Sequence, residues 1–495
     1  RFDLGDEVDI DLSFITLSGT EKLSVLGLPK GLKFDPVTRH ITGRILGLLG
    51  EVPLEIRVTN GKTIARSTWL SFSVSPYRFA GNYAALLELP DGSPEGLLNL
   101  SISSPETFTA SLLLAGQAPR PLKGTFDDTP GLDQQALVLS FPAGSKGTPL
   151  ATTVTVNLEA LMVSDAVSGD RDGTVSALRG FRLANSGRTP NATQSATIAL
   201  RNPASADGVT LPAGVGTLSG TIDPKGVVKL LGFTGDAQAL SIASRLSQTN
   251  QAILWTQPYK NKAGYLGGVV SLGTLGLPDR SASSTAPLAD GLKWSKAADP
   301  SERAYPDGFP IQDLSAEVSR WIAPPTATAL AESLGLDFNE VGVAYDDPIG
   351  VADLPSILRL TERLALLRIA PDGALALTKG AVAKKTGTFG GSFALPNGSG
   401  AVSGVVLQDA SFGTTVGTGL VRVPLPPGPT VPKGSFQTIS VEFSQDLVAA
   451  PGTPTFPAPE LATLNGLTTR FDLGDEVDID LSFITLSGTE KLSVL

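Results

Sequence analysis

Five carboxylates fall within nine residues near the start of the chain: Asp3, Asp6, Glu7, Asp9 and Asp11. Carboxylate oxygens are the donors that a hard cation such as calcium collects. The same residues also suit a solvated strand face, since Asp9 and Asp11 occupy alternate positions and exposed strand charge discourages edge-to-edge association. A second acidic group, Asp165, Asp170 and Asp172 followed by Gly173, contains part of a D-x-D-G calcium loop. That template needs an acid at its twelfth position; counted from Ser168 the twelfth residue is Arg179, so a plain Asp-Gly turn is expected instead. His40 is the single histidine and cysteine is absent. Disulfides and thiolate metal sites are therefore excluded, and histidine chemistry rests on one residue, which reads as a surface loop.

Trp69, Trp255, Trp294 and Trp321 offer faces on which a sugar could stack, and Trp255, with Tyr259 and Tyr265 close in sequence, is the best of them. Packing in a core or between domains is the favoured reading, because each ring adds a large apolar area. No Ser-x-x-Lys, no G-x-S-x-G elbow and no phosphate-binding G-x-x-x-x-G-K-[ST] loop occurs. Nothing selects a carboxylate pair for glycoside hydrolysis. The chain is therefore expected not to be an enzyme and to carry no cofactor, calcium aside. Lys and Arg number 38 against 48 Asp and Glu, a net charge of −10, which excludes a general nucleic-acid binder. Triplets at Asn99, Asn191 and Asn397 fit the glycosylation pattern by coincidence.

The elements that must position these residues are strands. In residues 1–76, Val8, Ile10, Leu12 and Phe14 alternate with Asp9, Asp11 and Ser13. Leu54, Ile56 and Val58 alternate with Glu55 and Arg57, and Leu70, Phe72 and Val74 with three serines. Period two marks half-buried strands. Between them lie Leu28-Pro29, Gly31-Leu32, Asp35, Thr38, Ile41, Gly43, Gly50 and Val58-Thr59-Asn60. This line resembles the Ig-like, cadherin-like domain found in tandem in bacterial surface proteins, with departures at Arg39-His40 and Arg44-Ile45. The resemblance implies a β-sandwich over 1–76, and carboxylates of such domains can surround calcium at domain junctions. It also implies a first strand upstream of Arg1, whose counterpart lies around Ala458 to Thr469.

Residues 77–300 hold many strand-sized runs separated by turn signals such as Asp91-Gly92, Asp172-Gly173 and Asp207-Gly208. They read as one antiparallel barrel or sandwich of about 10–12 strands. Residues 301–452 read as a second β module with short helices, the candidates being Ala316–Ile322 and Ala327–Leu336, with Ile357–Ile369 either helix or buried strand. Gly387-Thr388-Phe389-Gly390-Gly391-Ser392-Phe393 resembles a motif of giant repetitive surface proteins of the planctomycete and verrucomicrobial kind. Residues 453–495 read as a Pro-rich linker and the start of a further Ig-like domain. The fold class expected is thus all-β: an Ig-like sandwich plus two antiparallel barrel or sandwich modules.

Residues 470–495 repeat residues 1–26 letter for letter. Three readings stand: one unit of a tandem array followed by the start of the next, strand exchange between subunits, or an artificial duplication. The first is favoured, and with it a polypeptide extending beyond Arg1 and Leu495. Expected partners are neighbouring copies of the same repeat, meeting through Arg1, Phe2 and Leu4 and their equivalents Arg470, Phe471 and Leu473. No apolar run is long enough for a membrane-spanning helix. The function expected is that of a structural unit of an extracellular or cell-surface fibre; the alternative is an adhesin binding glycans or another cell through a loop or aromatic platform.

Overall fold

The computed structural model describes residues 2–3, 5–46, 50–75, 79–104, 107–124, 136–142, 151–157, 166–173, 175–184, 190, 192–203, 206–272, 291–336, 340–346, 356–368, 376–395, 398–408, 414–426, 431 and 434–445. The statements below concern these residues. Nearly all the regular structure is strand, and the chain is all-β.

Seven strands form the N-terminal part: β1 (Phe2–Asp3), β2 (Glu7–Asp11), β3 (Glu21–Leu26), β4 (Leu32–Asp35), β5 (His40–Arg44), β6 (Gly50–Asn60) and β7 (Thr63–Ser75). They make a four-stranded sheet in the order β1-β7-β6-β3 and a three-stranded sheet in the order β2-β5-β4. The alternation seen in the sequence explains the layering. Val8, Leu12 and Ile41 of the small sheet meet Val52, Leu54, Ile56 and Val58 of β6 in one shared core, and the polar partners face out.

Beyond residue 80 the chain folds three times into an eight-stranded antiparallel sheet. The first sheet runs from Gly81–Glu88 to Ser176–Arg182, the second from Gln194–Arg201 to Phe309–Trp321, and the third from Glu340–Asp346 to Phe436–Ser444. In each, the opening strand pairs antiparallel with the closing one, as at Tyr83 and Arg182, Ser195 and Trp321, and Gly342 and Ser444. The other strands follow as hairpins, so every sheet is a meander wound toward closure. Isolated bridges, Leu246 to Ala252 and Ala365 to Ala381, draw the free ends of the second and third sheets together. The first has no such bridge among the described residues and is the more open.

Inward positions are aliphatic. The strand Ala136–Phe141 buries every second residue, with Leu139 and Phe141 at most 1% exposed. Where neighbouring strands approach closely the second sheet uses glycine: a Cβ on Gly220 would lie 1.8 Å from the Lys229 carbonyl oxygen, and one on Gly232 1.8 Å from that of Thr217. Among the described residues one α-helix, α1 (Ala327–Ser333), begins at Thr326, whose hydroxyl accepts the Ala329 N–H. Its buried Ala327, Leu330 and Ala331 pack into the core of the third sheet.

The strands of residues 77–300 thus belong to two sheets, and the second closes at Trp321, inside the stretch expected to form the next module. Ala316–Ile322, expected as a helix, is strand through Trp321. Ile357–Ile369 is a strand pair, Ser356–Leu360 with Leu366–Arg368. The helix expected at Ala327–Leu336 is present as α1.

Candidate functional site

The acidic segment lies on β1 and β2 and the turn between them. Asp6, Glu7, Asp9 and Asp11 are exposed. Antiparallel pairing of β2 with β5 sets His40 opposite Asp11 and diagonal to Asp9. His40 Nδ1 lies 2.5 Å from Asp9 Oδ1 and Nε2 lies 3.5 Å from Asp11 Oδ1. The imidazole thus lies between two carboxylates, and the hydrogen bond to Asp9 pushes the His40 pKa above its ordinary value of 6.5. Asp11 accepts the Ser13 hydroxyl and backbone N–H, which hold its carboxyl below the usual range. Two of the five acids therefore serve a histidine contact that sequence reasoning missed. Nothing is described of the Asp3 side chain, and among the described residues no three His, Cys, Asp or Glu side chains are arranged to hold a metal ion. Asp172 and Gly173 form the expected tight turn, both at positive φ, with Asp172 accepting the Thr153 N–H. Asp165 lies outside the described residues.

Of the four tryptophans, Trp69 alone is exposed, at 66%. Trp294 and Trp321 are buried in the second and third cores. Trp255 stacks on Tyr265, ring centroids 5.3 Å apart, in a cluster with Ala84, Leu86 and Phe181 of the first sheet. It therefore seals the joint between two sheets instead of offering a face to sugar. Gln257 reinforces this joint by accepting the Gly116 N–H at 2.7 Å, and Lys262 by donating to the Gln117 carbonyl.

The second joint is more polar. The Thr197 hydroxyl donates to the Val406 carbonyl at 2.7 Å, the Ser219 hydroxyl to that of Thr386 at 2.6 Å, and Trp321 Nε1 to that of Lys384 at 3.1 Å. The Tyr305 hydroxyl lies 3.1 Å from both the Gly208 carbonyl and the Thr438 hydroxyl. Burial pushes its pKa up to about 12, so it stays a neutral donor. Arg201 pairs with Glu317 of its own sheet and with Glu442 of the third.

One buried charged network lies at the end of the second sheet. Lys296 Nζ is 3.6 Å from Asp236 Oδ2, Tyr259 donates to that oxygen at 3.0 Å, and Trp294 Nε1 donates to the Tyr259 hydroxyl at 2.8 Å. Burial, helped by the Asp236 charge, raises the Tyr259 pKa well above 10.0. All four residues are at most 4% exposed, so the group holds the loops of that end together and presents nothing to a substrate. The third sheet encloses an apolar cavity of about 30 Å³ lined by residues such as Leu330, Leu360 and Phe443, far below the several hundred Å³ of a ligand pocket.

Among the described residues the N-terminal sandwich has an open side. β7 lies next to β6 along its whole length, but β1 covers its other edge only at Val74 and Ser75. Thr68 and Leu70 of β7 pair with Ile56 and Leu54, so they belong to the core-facing side, yet both are exposed, Leu70 at 40%. Of the expected contact residues, Phe2 packs against the sandwich core. Arg1, Leu4, Arg470, Phe471 and Leu473 lie outside the described residues.

No protein-family model matches the chain, and no curated protein matches it significantly. No described helix is long and apolar enough to cross a membrane.

Proposed function

We propose that this chain is a structural repeat unit of a tandem extracellular array, in which each unit completes the sandwich of the next. One observation carries the reading: the β7 edge that the described residues leave uncovered, taken with the recurrence of residues 1–26 at 470–495. β1 is parallel to β7 with Phe2 opposite Val74. A strand continuing β1 backward therefore runs along Phe72, Leu70 and Thr68. In a repeating chain the residues before the 26-mer are those that end at Thr469. Phe471 is the counterpart of Phe2, so Leu467 falls opposite Leu70 and adds an apolar side chain to the exposed core side. Strand addition of this kind satisfies backbone groups along the edge and buries apolar area together. Packed sheet interiors and bonded joints suit a structural role, and near-identical junctions propagate into a fibre.

The denatured mass of the native material tests this. A species far above 51.1 kDa that yields a peptide spanning Thr469–Arg470 and continuing past Leu495 is expected. A single species near 51.1 kDa overturns the tandem array.

A further inference from the structure

Beside the joint of the first two sheets runs a groove of about 420 Å³, bounded by Gly81, Asn82 and Arg182 on one side and Lys225, Arg245 and Gln248 on the other. It continues into a recess of about 280 Å³ that shares Asn82, Leu183 and Arg245. The floor of the recess is the outer face of three neighbouring strands. Asn82 pairs with Ser101 and Ser101 with Thr109, and in the next row Asn99 pairs with Ser111. The intervening Tyr83, Leu100 and Ala110 fill the interior, so the strip presents amides and hydroxyls outward.

The charge of this groove runs against that of the chain. Among the described residues three cations line it and no carboxylate does, although the net charge is −10. Arg182 is aimed by a hydrogen bond to the Ala80 carbonyl and by the Tyr83 ring, 5.7 Å away. Arg245 reaches only the Lys225 carbonyl, at 3.4 Å, and its buried Nε has no hydrogen-bond partner among the described residues. The adjacent carboxylate, Asp223, accepts the Lys225 and Val227 N–H groups at 2.8 and 2.9 Å within its own turn.

We propose that this groove binds an acidic oligosaccharide. The amide and hydroxyl strip takes ring hydroxyls, while Arg182, Lys225 and Arg245 take a carboxylate or sulfate group. The combined volume suits a few sugar rings. A nucleic-acid strand fits less well. Its affinity comes mainly from its dense backbone phosphates, which the chain's net charge of −10 repels. This site is independent of how copies join, since both walls belong to one unit.

Calorimetric titration of the whole chain with three tetrasaccharides tests the proposal: tetragalacturonate, a chondroitin sulfate tetrasaccharide, and neutral cellotetraose. Binding of at least one acidic probe, weakened by salt and absent for cellotetraose, is expected. Tetragalacturonate carries carboxylates alone and the chondroitin probe carries both carboxylates and sulfates, so binding of tetragalacturonate shows that a carboxylate suffices, and binding of the chondroitin probe alone shows that it does not. The double variant Lys225→Gln with Arg245→Gln should weaken binding about tenfold or more, with an unchanged unfolding midpoint showing that the fold is intact. Failure of both acidic probes, equal binding of cellotetraose, or unchanged affinity in a folded double variant would each overturn it.

Discussion

His40 shows how a contact can be built across 31 residues of sequence. Alternation placed Asp9 and Asp11 on one polar face, and that much was legible. The histidine was not, because its place depends on which strand pairs with β2 and in what register, and the local pattern around His40 does not encode either. The pairing has a pH consequence. A folded-state pKa raised above 6.5 means that protonation favours the folded sandwich, fully below 6.5 and progressively less as pH rises through the folded value. Thermal unfolding followed from about pH 5 to about pH 9 should show the sandwich losing stability over that window. His40→Ala should remove the step, and a step that persists in the variant would refute the assignment. Lys296 makes a different case. Lys296→Met leaves Asp236 buried without its cation and should cost about 3–5 kcal/mol in denaturant unfolding, while adding Asp236→Asn should recover part of it.

At the scale of elements, strands were readable wherever one face is wet, as in Ala136–Phe141. The closing strand of the second sheet was not. Val318 turns toward its own core, while Ser319 is fully buried and Trp321 packs into the core of the third sheet. With both faces covered, the apolar-polar alternation that marks a strand is lost, and Ala316–Ile322 resembled a helix. Sheet boundaries were hidden for a related reason: hairpin follows hairpin with similar turns, and only long-range pairing of first and last strands separates one sheet from the next. Gly220 and Gly232 permit the close approach of neighbouring strands in the second sheet. Gly220→Ala should destabilise by about 1–3 kcal/mol, because the carbonyl it meets belongs to a neighbouring strand and cannot swing away. A variant with wild-type stability in thermal denaturation would show that the sheet can flatten there.

For the whole molecule, the open edge of β7 gives the sharpest test of how units meet. Extending the chain so that residues 458–469 also precede Arg1 should protect the alternate, outward-pointing backbone amides of Thr63 to Ser73 from hydrogen exchange and raise the unfolding midpoint of the sandwich. Exchange at those amides that is unchanged by the extension would show that this strand does not dock there. The recurrence of the 26-mer was plain in the sequence. The site it points to required the sheet order, since nothing in the letters of β7 says that one of its edges is bare.

The pairing of opening with closing strand has a mechanical consequence. In each eight-stranded sheet the chain enters and leaves at neighbouring points, for example at Tyr83 and Arg182. Tension along the polypeptide would pull those two strands apart from their shared end, breaking ladder bonds a pair at a time instead of shearing them together. A thread of such units would lengthen at low force, giving way sheet by sheet and dissipating a sudden load before any covalent bond bears it.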